Sequence, residues 1–262
     1  MLPSLFVSHG APTLALQDIP ARHFLETLGR SLPRPRAIVA VTAHWETDRP
    51  AAGADPHPRT IHDFGRFDDR LFDIQYPAPG QPELAEGLTV MLHEAGLASG
   101  IDPRRGLDHG VWVPLLLMYP DADIPVVPVS VQPGLGPAHH LRVGRALAAL
   151  AGEDVLVIGS GSFTHDLSRF RGRALESATP ADVEAFAGWF DSALTQGRVT
   201  DLLEYRSRAP HAAENHPTEE HLLPLYVALG AAGAGAMAER LHSSATYGVL
   251  RMDAYAFHPV VA

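Results

Sequence analysis

Histidines stand out among the residues that could do chemistry. The chain of 262 residues contains 15 histidines and no cysteine. Any bound metal would therefore be held by nitrogen and oxygen donors, a set that suits zinc, iron(II), copper or nickel better than magnesium or calcium. Three of the histidines, His9, His44 and His165, each end or follow a short apolar run. One such histidine is usually a loop residue, but the repetition favours a metal site.

The apolar runs that lead to these histidines are rich in β-branched residues and are predicted to be strands. They cover residues 5–8, 37–45 and 155–158. Strands of this composition are typically buried on both faces of a parallel sheet. In open α/β sheets, ligands bind beyond the carboxyl ends of the strands. The three histidines are therefore expected to meet at that edge and to form a metal site there.

The rest of the pattern predicts alternating helices and strands. An amphipathic helix at 21–32 lies between the first two strands, which gives a βαβ unit. Further helices are predicted at 83–95, 139–150 and 180–194, and a final strand at 247–257. Because no repeat or change of composition divides the chain, we predict a single α/β domain over residues 1–262. Its central sheet is expected to be mostly parallel or mixed, flanked by helices, with the metal site at the strand ends.

Charge and hydropathy exclude several classes of function. The formal net charge of −10 argues against a nucleic-acid partner, because phosphate contacts need clustered lysine and arginine. The N-terminal residues lack the basic segment and apolar core of a secretory signal. The longest apolar run, near 111–119, is far shorter than a membrane span. We therefore expect a cytoplasmic protein with neither a membrane nor a nucleic-acid partner.

A fourth histidine of interest, His109, lies between Asp108 and Gly110 at the start of an apolar segment. A histidine in this place could be oriented into a pocket by Asp108 or by a backbone group. It could equally cap a helix, and the residue types leave both interpretations open.

A fifth, His221, belongs to a segment that carries several helix signals. Asn215 or His216 could cap a helix, and Pro217 fits its first turn. Pro224 cannot donate a helical hydrogen bond, so a bend is expected beside His221.

Residues 46–82 are polar, aromatic and proline-rich. A loop of this length inside a compact domain is usually functional or disordered, and its aromatic residues favour function. We interpret it as a flap over the site, in which Tyr76 is a substrate-binding residue.

A site of three or four imidazoles with open positions supports two kinds of chemistry. It could activate water for hydrolysis, or hold dioxygen next to a chelating substrate. The spacing of the histidines does not choose between them. The sequence lacks a G-x-S-x-G elbow, an H-E-x-x-H motif and a phosphate-binding loop. Histidines drawn from widely separated strand ends indicate a catalytic pocket more than a structural zinc site.

Six segments, taken together, resemble the class III extradiol ring-cleavage dioxygenases. They are SHGAPT at 8–13, TAHW at 42–45, YPAPG at 76–80, LDHGVWVPLLLMYPDADIPVV at 107–127, GSGSFTHDL at 159–167 and HPTEEHLLPL at 216–225. The likeness covers essentially the whole chain in order. More narrowly, the segments resemble the bacterial and plant 4,5-DOPA dioxygenase branch, which is related to the catalytic subunit of protocatechuate 4,5-dioxygenase.

The resemblance implies a metal site and roles for five histidines. The metal would be one non-haem ion, iron(II) in the active enzyme and often zinc in the protein as purified. Its ligands would be His9, His44 and His221, with His165 as a fourth ligand or as the acid–base catalyst. His109 would be a catalytic residue that faces substrate or dioxygen.

The reaction implied is an oxidoreductase reaction between dioxygen and a small catechol such as DOPA. The ring would open beside the diol, with one histidine accepting a hydroxyl proton and a histidine returning a proton during O–O cleavage. Glu219 or Glu220, beside His221, could join the metal ligands. Two alternatives use the same residues or fold: a zinc-dependent hydrolase, and a non-enzymatic Memo-like binding protein.

Overall fold

An eight-stranded sheet forms the centre of the computed structural model, which describes residues 1–260. The strands of this part of the chain are β1 (Ser4–Ser8), β2 (Ala37–Glu46), β3 (Ala51–Gly53), β4 (Gly100–Asp102), β5 (Val126–Val131), β6 (Val155–Gly161), β7 (Met237–His242), β8 (Ala245–Thr246), β9 (Leu250–Arg251) and β10 (Ala254–His258). The sheet order is β4-β3-β5-β2-β6-β1-β10-β7, and β8 pairs with β9 separately. Residues 261 and 262, which end the predicted domain, lie outside the described residues.

The middle of the sheet is parallel. β5, β2, β6 and β1 lie side by side in one direction, whereas β10 and β7 follow on one side as antiparallel neighbours. β1 and β6 are buried at every residue and β2 at nearly every residue. Burial on both faces explains why these strands appear in the sequence as continuous apolar runs. The predicted α/β class with a mostly parallel or mixed sheet is confirmed.

Helices cover both faces of this sheet. The α-helices within residues 1–260 are α1 (Pro20–Ser31), α2 (Pro82–Glu94), α3 (His109–Met118), α4 (Gly136–Ala146), α5 (Ala181–Thr195), α6 (Val199–Leu203), α7 (Tyr205–Arg208), α8 (Ala212–Asn215) and α9 (Leu223–Ala231). Successive side chains of β2 belong to different apolar clusters, one on each face of the sheet. Ile38 lies in the cluster that contains residues of α1 and α3, and Val39 lies in the cluster that contains residues of α2, α4, α5 and α9. No helix in this part of the chain has the length and hydropathy needed to span a membrane.

The segment that carries His221 differs from its prediction. The long helix of this region is α9, which begins at Leu223 with Pro224 in its first turn, and His221 lies on the irregular segment just before it. Proline is compatible with a first turn because the N–H groups there have no helical partner. The chain turns at His221, as expected, but this turn precedes the helix. A helix that begins near Pro217 is therefore wrong, and Pro224 marks the start of α9.

The predicted strand at 247–257 is divided into β9 and β10. Asp253, in the break between them, is buried and forms an ion pair with Arg251. The pattern also missed β7, which lies at the edge of the sheet. Its residues are exposed or half-buried and carry little apolar signal.

Candidate metal centre

The topology brings two of the predicted ligands to one edge of the sheet. β2, β6 and β1 are adjacent and parallel, so their carboxyl ends lie together. His9 follows β1 directly, and its backbone N–H donates to the Gly161 carbonyl at 2.9 Å. His44 lies near the end of β2. The expectation that strand ends position these histidines is met by the geometry.

Three imidazole nitrogens converge at this edge. His44 Nε2 lies 3.0 Å from His9 Nε2 and 3.2 Å from His221 Nε2. Metal–nitrogen bonds of about 2.0–2.1 Å place nitrogens that share one ion roughly 2.9–3.4 Å apart. His9 and His221 are buried and His44 is partly exposed, so the group keeps one open side. The three residues therefore fit a single transition-metal ion.

The partner of His9 Nδ1, the nitrogen that points away from the other histidines (the outer nitrogen), shows which tautomer His9 adopts. His9 Nδ1 lies 3.0 Å from Ser160 Oγ. The Ser160 hydroxyl donates its own proton to the Gly110 carbonyl, so it can only accept from His9. His9 Nδ1 then carries the proton, and Nε2 offers its lone pair to the cluster. A second partner that fixes the ring in this way is typical of metal-ligating histidines.

The other two histidines have carboxylates at their outer nitrogens. His221 Nδ1 lies 2.9 Å from Glu220 Oε1, and His44 Nδ1 lies 3.4 Å from Asp63 Oδ2. In each case the carboxylate favours a proton on Nδ1 and a lone pair on Nε2. Glu220 thus contacts His221, a predicted ligand, on the side that faces away from the other two histidines.

Burial holds the converging imidazoles in their neutral form. Burial, followed by the neighbouring histidines, lowers the pKa of His9 and of His221 well below the ordinary value of histidine. The same two causes lower the pKa of His44 to about 3, against the opposing effect of Asp63. A histidine must be neutral to bind a metal, so at pH 7 all three are in the competent state.

Asp63 connects the cluster to His109, the first residue of α3. His109 Nδ1 lies 2.9 Å from Asp63 Oδ1, and the His109 backbone N–H donates to the same oxygen at 3.0 Å. Burial alone would raise the pKa of Asp63, but the hydrogen bonds from His109 lower it to about 2. The ring of His109 lies 3.9 Å from that of His44, measured between centroids. His109 is therefore oriented by Asp63 of the long loop, and not by its neighbour Asp108.

His165 packs against a predicted ligand. Its ring is stacked on His221 with 3.4 Å between centroids and 13° between planes. The backbone N–H of His165 donates to the Asn215 carbonyl at 2.8 Å, which ties it to the segment that carries His221. Burial lowers the pKa of His165 to about 4. Among the described residues, His165 groups with Glu220 and His221 and lies outside the set formed by His9, His44 and His221.

A cavity of about 530 Å³ opens onto these residues. His44, His109, His165 and His221 line one part of it, together with Asp63. Most of the remaining wall is apolar, formed by Ala11, Pro12, Phe64, Phe67, Leu167, Phe170 and Leu250. A cavity of this size with an apolar wall and a few convergent polar groups suits a small aromatic molecule.

Tyr76 does not reach this cavity. Its side chain is fully buried, and its hydroxyl donates to the Tyr119 carbonyl at 3.1 Å. The prediction of a substrate-binding role for Tyr76 is corrected by this placement, because a ring held in the core between loop and helix cannot touch a ligand. The part of the predicted flap that lines the cavity is 63–67.

Sequence reasoning missed Asp63 and Ser160 as partners of the histidines. Ser160 could have been identified, since it lies at the glycine-rich end of β6, the strand beside β1. Asp63 gave no such signal, because it comes from a loop whose path the local pattern does not determine.

Comparison with known proteins gives one consistent family. The model of the catalytic LigB subunit of aromatic ring-opening dioxygenase matches residues 3–257. A protein named 4,5-DOPA dioxygenase extradiol from Beta vulgaris is 43% identical, over 97% of this chain and 96% of its own. A protein of the same name from Escherichia coli K12 is 41% identical, over 88% of this chain and 85% of its own.

A solved structure agrees with these relatives. The crystal structure of an uncharacterized protein from Escherichia coli K12 superimposes with a TM-score of 0.81 at 33% identity, over 98% of this chain and 99% of that one. The resemblance noted in the sequence is thus confirmed, and so is the oxidoreductase class over the hydrolase and binding-protein alternatives. The chain belongs to the LigB family of aromatic ring-opening dioxygenases, and it is a metal-dependent extradiol dioxygenase.

Proposed function

We propose that this enzyme uses iron(II), held by His9, His44 and His221, to open the ring of a catechol such as DOPA with dioxygen. We also propose that residues 1–262 act as one catalytic domain. The observation that carries the site assignment is the convergence of the three Nε2 atoms, at 3.0 Å and 3.2 Å from His44. The names of the relatives support DOPA as a substrate.

Iron(II) at this site would supply a Lewis acid for the two catechol oxygens and a redox centre for dioxygen. The donor set fits this role because it contains neutral imidazoles and no thiolate. The partly exposed side of His44 leaves room for exchangeable ligands from the cavity. Zinc would bind the same nitrogens but would not take part in electron transfer.

We assign the first proton transfer to His165. It lines the cavity, and burial keeps its imidazole neutral at pH 7, so it can accept the proton of a catechol hydroxyl. Glu220 Oε1 lies 4.0 Å from His165 Nδ1 and would stabilise the imidazolium that forms. Because His165 lies outside the converging group, we favour the acid–base role over a fourth metal ligand.

We assign His109 to the handling of dioxygen or of the second proton. The hydrogen bond to Asp63 places the His109 proton on Nδ1 and leaves Nε2 free to accept one. The carboxylate of Asp63 would then stabilise a positively charged His109 ring. Phe64 packs edge-on against His109 at 5.6 Å between centroids and gives the cavity an apolar wall on that side.

Oxygen consumption tests this proposal. Protein loaded anaerobically with iron(II) is expected to consume one molecule of dioxygen for each molecule of DOPA or 4-methylcatechol and to form a yellow ring-opened product. The same protein loaded with zinc should consume none. If the iron(II) form consumes no dioxygen with any catechol, the proposed function is wrong.

A further inference from the structure

The cavity wall carries two positively charged side chains in addition to the histidines. Arg66 and Arg171 both line it and are both exposed. Neither guanidinium has a salt bridge or a hydrogen bond with any residue in 1–260, whereas nearby Arg70 and Arg169 are paired with Asp68 and Asp182. An arginine without a partner beside a ligand cavity is available to bind an anion.

The carboxylate in the cavity wall already has hydrogen-bond partners. Asp63 is the one carboxylate among the lining residues of the described chain. It accepts two hydrogen bonds from His109 and lies 3.4 Å from His44 Nδ1. The wall therefore offers no free carboxylate to a cationic group on a substrate.

The two arginines create a local positive potential in a chain whose net charge is negative. The formal net charge of −10 repels anions in general, so an anionic substrate gains most from a local positive potential at the cavity. The apolar residues that line the same cavity, among them Phe64 and Phe170, suit the ring of a catechol. A catechol that carries a carboxylate on its substituent matches this set of lining groups.

We propose that Arg66 and Arg171 are specificity-determining residues that bind a carboxylate on the substituent of the catechol. This inference rests on the proposed function of the same site. It makes the carboxylate, and not the α-amino group, the part of a DOPA-like substituent that the enzyme recognises. Catechols with anionic substituents are then better substrates than neutral ones, and catecholamines are the poorest.

The test compares substrates that differ in charge at the substituent. For the iron(II) enzyme, kcat/KM is measured by oxygen uptake with 3-(3,4-dihydroxyphenyl)propionate, its methyl ester, DOPA and dopamine. The acid should be preferred over its ester by roughly five- to tenfold, as expected for two solvent-exposed ion pairs, mainly through KM. DOPA should follow the acid, and dopamine should be worse than the ester. The preference should decrease in 0.5 M salt, because salt screens ion pairs that are exposed to solvent.

Variants test whether the preference for the acid depends on the two arginines. The preference for the acid over the ester should disappear in R66Q/R171Q and decrease in each single variant. R142Q is the matched control, because Arg142 is an exposed arginine of α4 that does not line the cavity. It removes one positive charge, as each single variant does, and should keep the preference.

The outcomes separate this inference from the proposed function. No oxygen uptake with any catechol would overturn both. Uptake without a preference for the acid in the wild-type enzyme would overturn only the role of the arginines, even if the double variant did not fold. A preference that survives in a folded R66Q/R171Q enzyme, or that is lost equally in R142Q, would also overturn it.

Discussion

At the scale of the residue, the outer partner of each clustered histidine decides what its inner nitrogen can do. Ser160 accepts a proton from His9 because its own proton is donated to Gly110. Glu220 and Asp63 have the same effect on His221 and His44. Partners of this kind usually contribute to metal affinity without touching the metal.

Ser160→Ala is expected to weaken metal binding. The substitution removes the acceptor for His9 Nδ1, so that ring loses its fixed tautomer and orientation, and metal affinity should fall by roughly ten- to a hundredfold. Ser162→Ala is the matched control, because Ser162 is an equally buried hydroxyl, two residues further along the chain, whose partner is the Thr164 carbonyl. A competition titration with a chelating dye measures both affinities. Equal affinities in the two variants would contradict the role given to Ser160.

His109→Ala is expected to separate metal binding from chemistry. His109 lies outside the converging nitrogens, so the variant should keep its metal and bind catechol. Its ring-cleavage rate should fall by roughly a hundredfold or more, the usual scale for a lost acid–base group. Elemental analysis and the rate of yellow product formation measure the two properties. Loss of the metal would show that His109 is a ligand. An unchanged rate would show that His109 has no role in catalysis beyond starting helix α3.

At the scale of the element, β6 supports the segment that delivers His221. The Ser162 backbone N–H donates to the His221 carbonyl at 2.9 Å. A Cβ on Gly161 would overlap that carbonyl oxygen, and one on Gly159 would overlap the carbonyl of Pro224 at the start of α9. The two glycines at the end of β6 therefore let the backbone around the start of α9 approach the sheet edge closely.

Gly161→Ala is expected to displace His221 and to reduce metal content. The added methyl group must move the His221 backbone, which takes one nitrogen away from the group of three. Gly188→Ala is the matched control, because a Cβ there meets nothing within 4 Å. Since Gly188 lies inside α5, its replacement should stabilise the fold by roughly 0.5–1 kcal/mol. Thermal unfolding and elemental analysis are the measurements, and full metal content in a folded Gly161→Ala protein would refute this account of β6.

The junction of β5 and α4 contains a histidine that makes stability depend on pH. His140 Nε2 accepts the Gln132 backbone N–H at 3.0 Å, and its Nδ1 donates to the Gly136 carbonyl at 2.7 Å. Burial lowers the pKa of His140 to about 4. The unfolded chain therefore binds a proton below about pH 6.5 that the folded chain binds only near pH 4, and stability is lost as the pH falls through that window.

His140→Gln should make the protein less sensitive to acid. Linkage gives His140 a contribution of about 2 kcal/mol to the loss of unfolding free energy between pH 7 and pH 4.5, which the variant would lack. Urea unfolding at the two pH values measures this difference. His57→Gln, at an exposed loop histidine, should retain the wild-type loss. An identical loss in His140→Gln would show that His140 is not the titrating group.

At the scale of the whole molecule, strand ends could be predicted from the sequence and loop paths could not. The runs before His9 and His44 revealed both strands, because burial on both faces leaves a continuous apolar signal. The resemblance supplied His221, whose turn has no periodic pattern. Asp63 and Tyr76 both lie in the long loop, yet one reaches the cavity and the other fills the core. That difference depends on tertiary packing, which local pattern does not encode.

The central claim is that His9, His44 and His221 hold one metal ion, and the metal content of His44→Ala tests it most directly. His44 Nε2 lies within 3.2 Å of both other nitrogens, so its removal leaves two donors in an open site. Wild type and the control His57→Ala should each bind one iron(II) per chain after anaerobic loading and desalting, while His44→Ala should retain almost none. Full iron content in a folded His44→Ala protein would contradict the account.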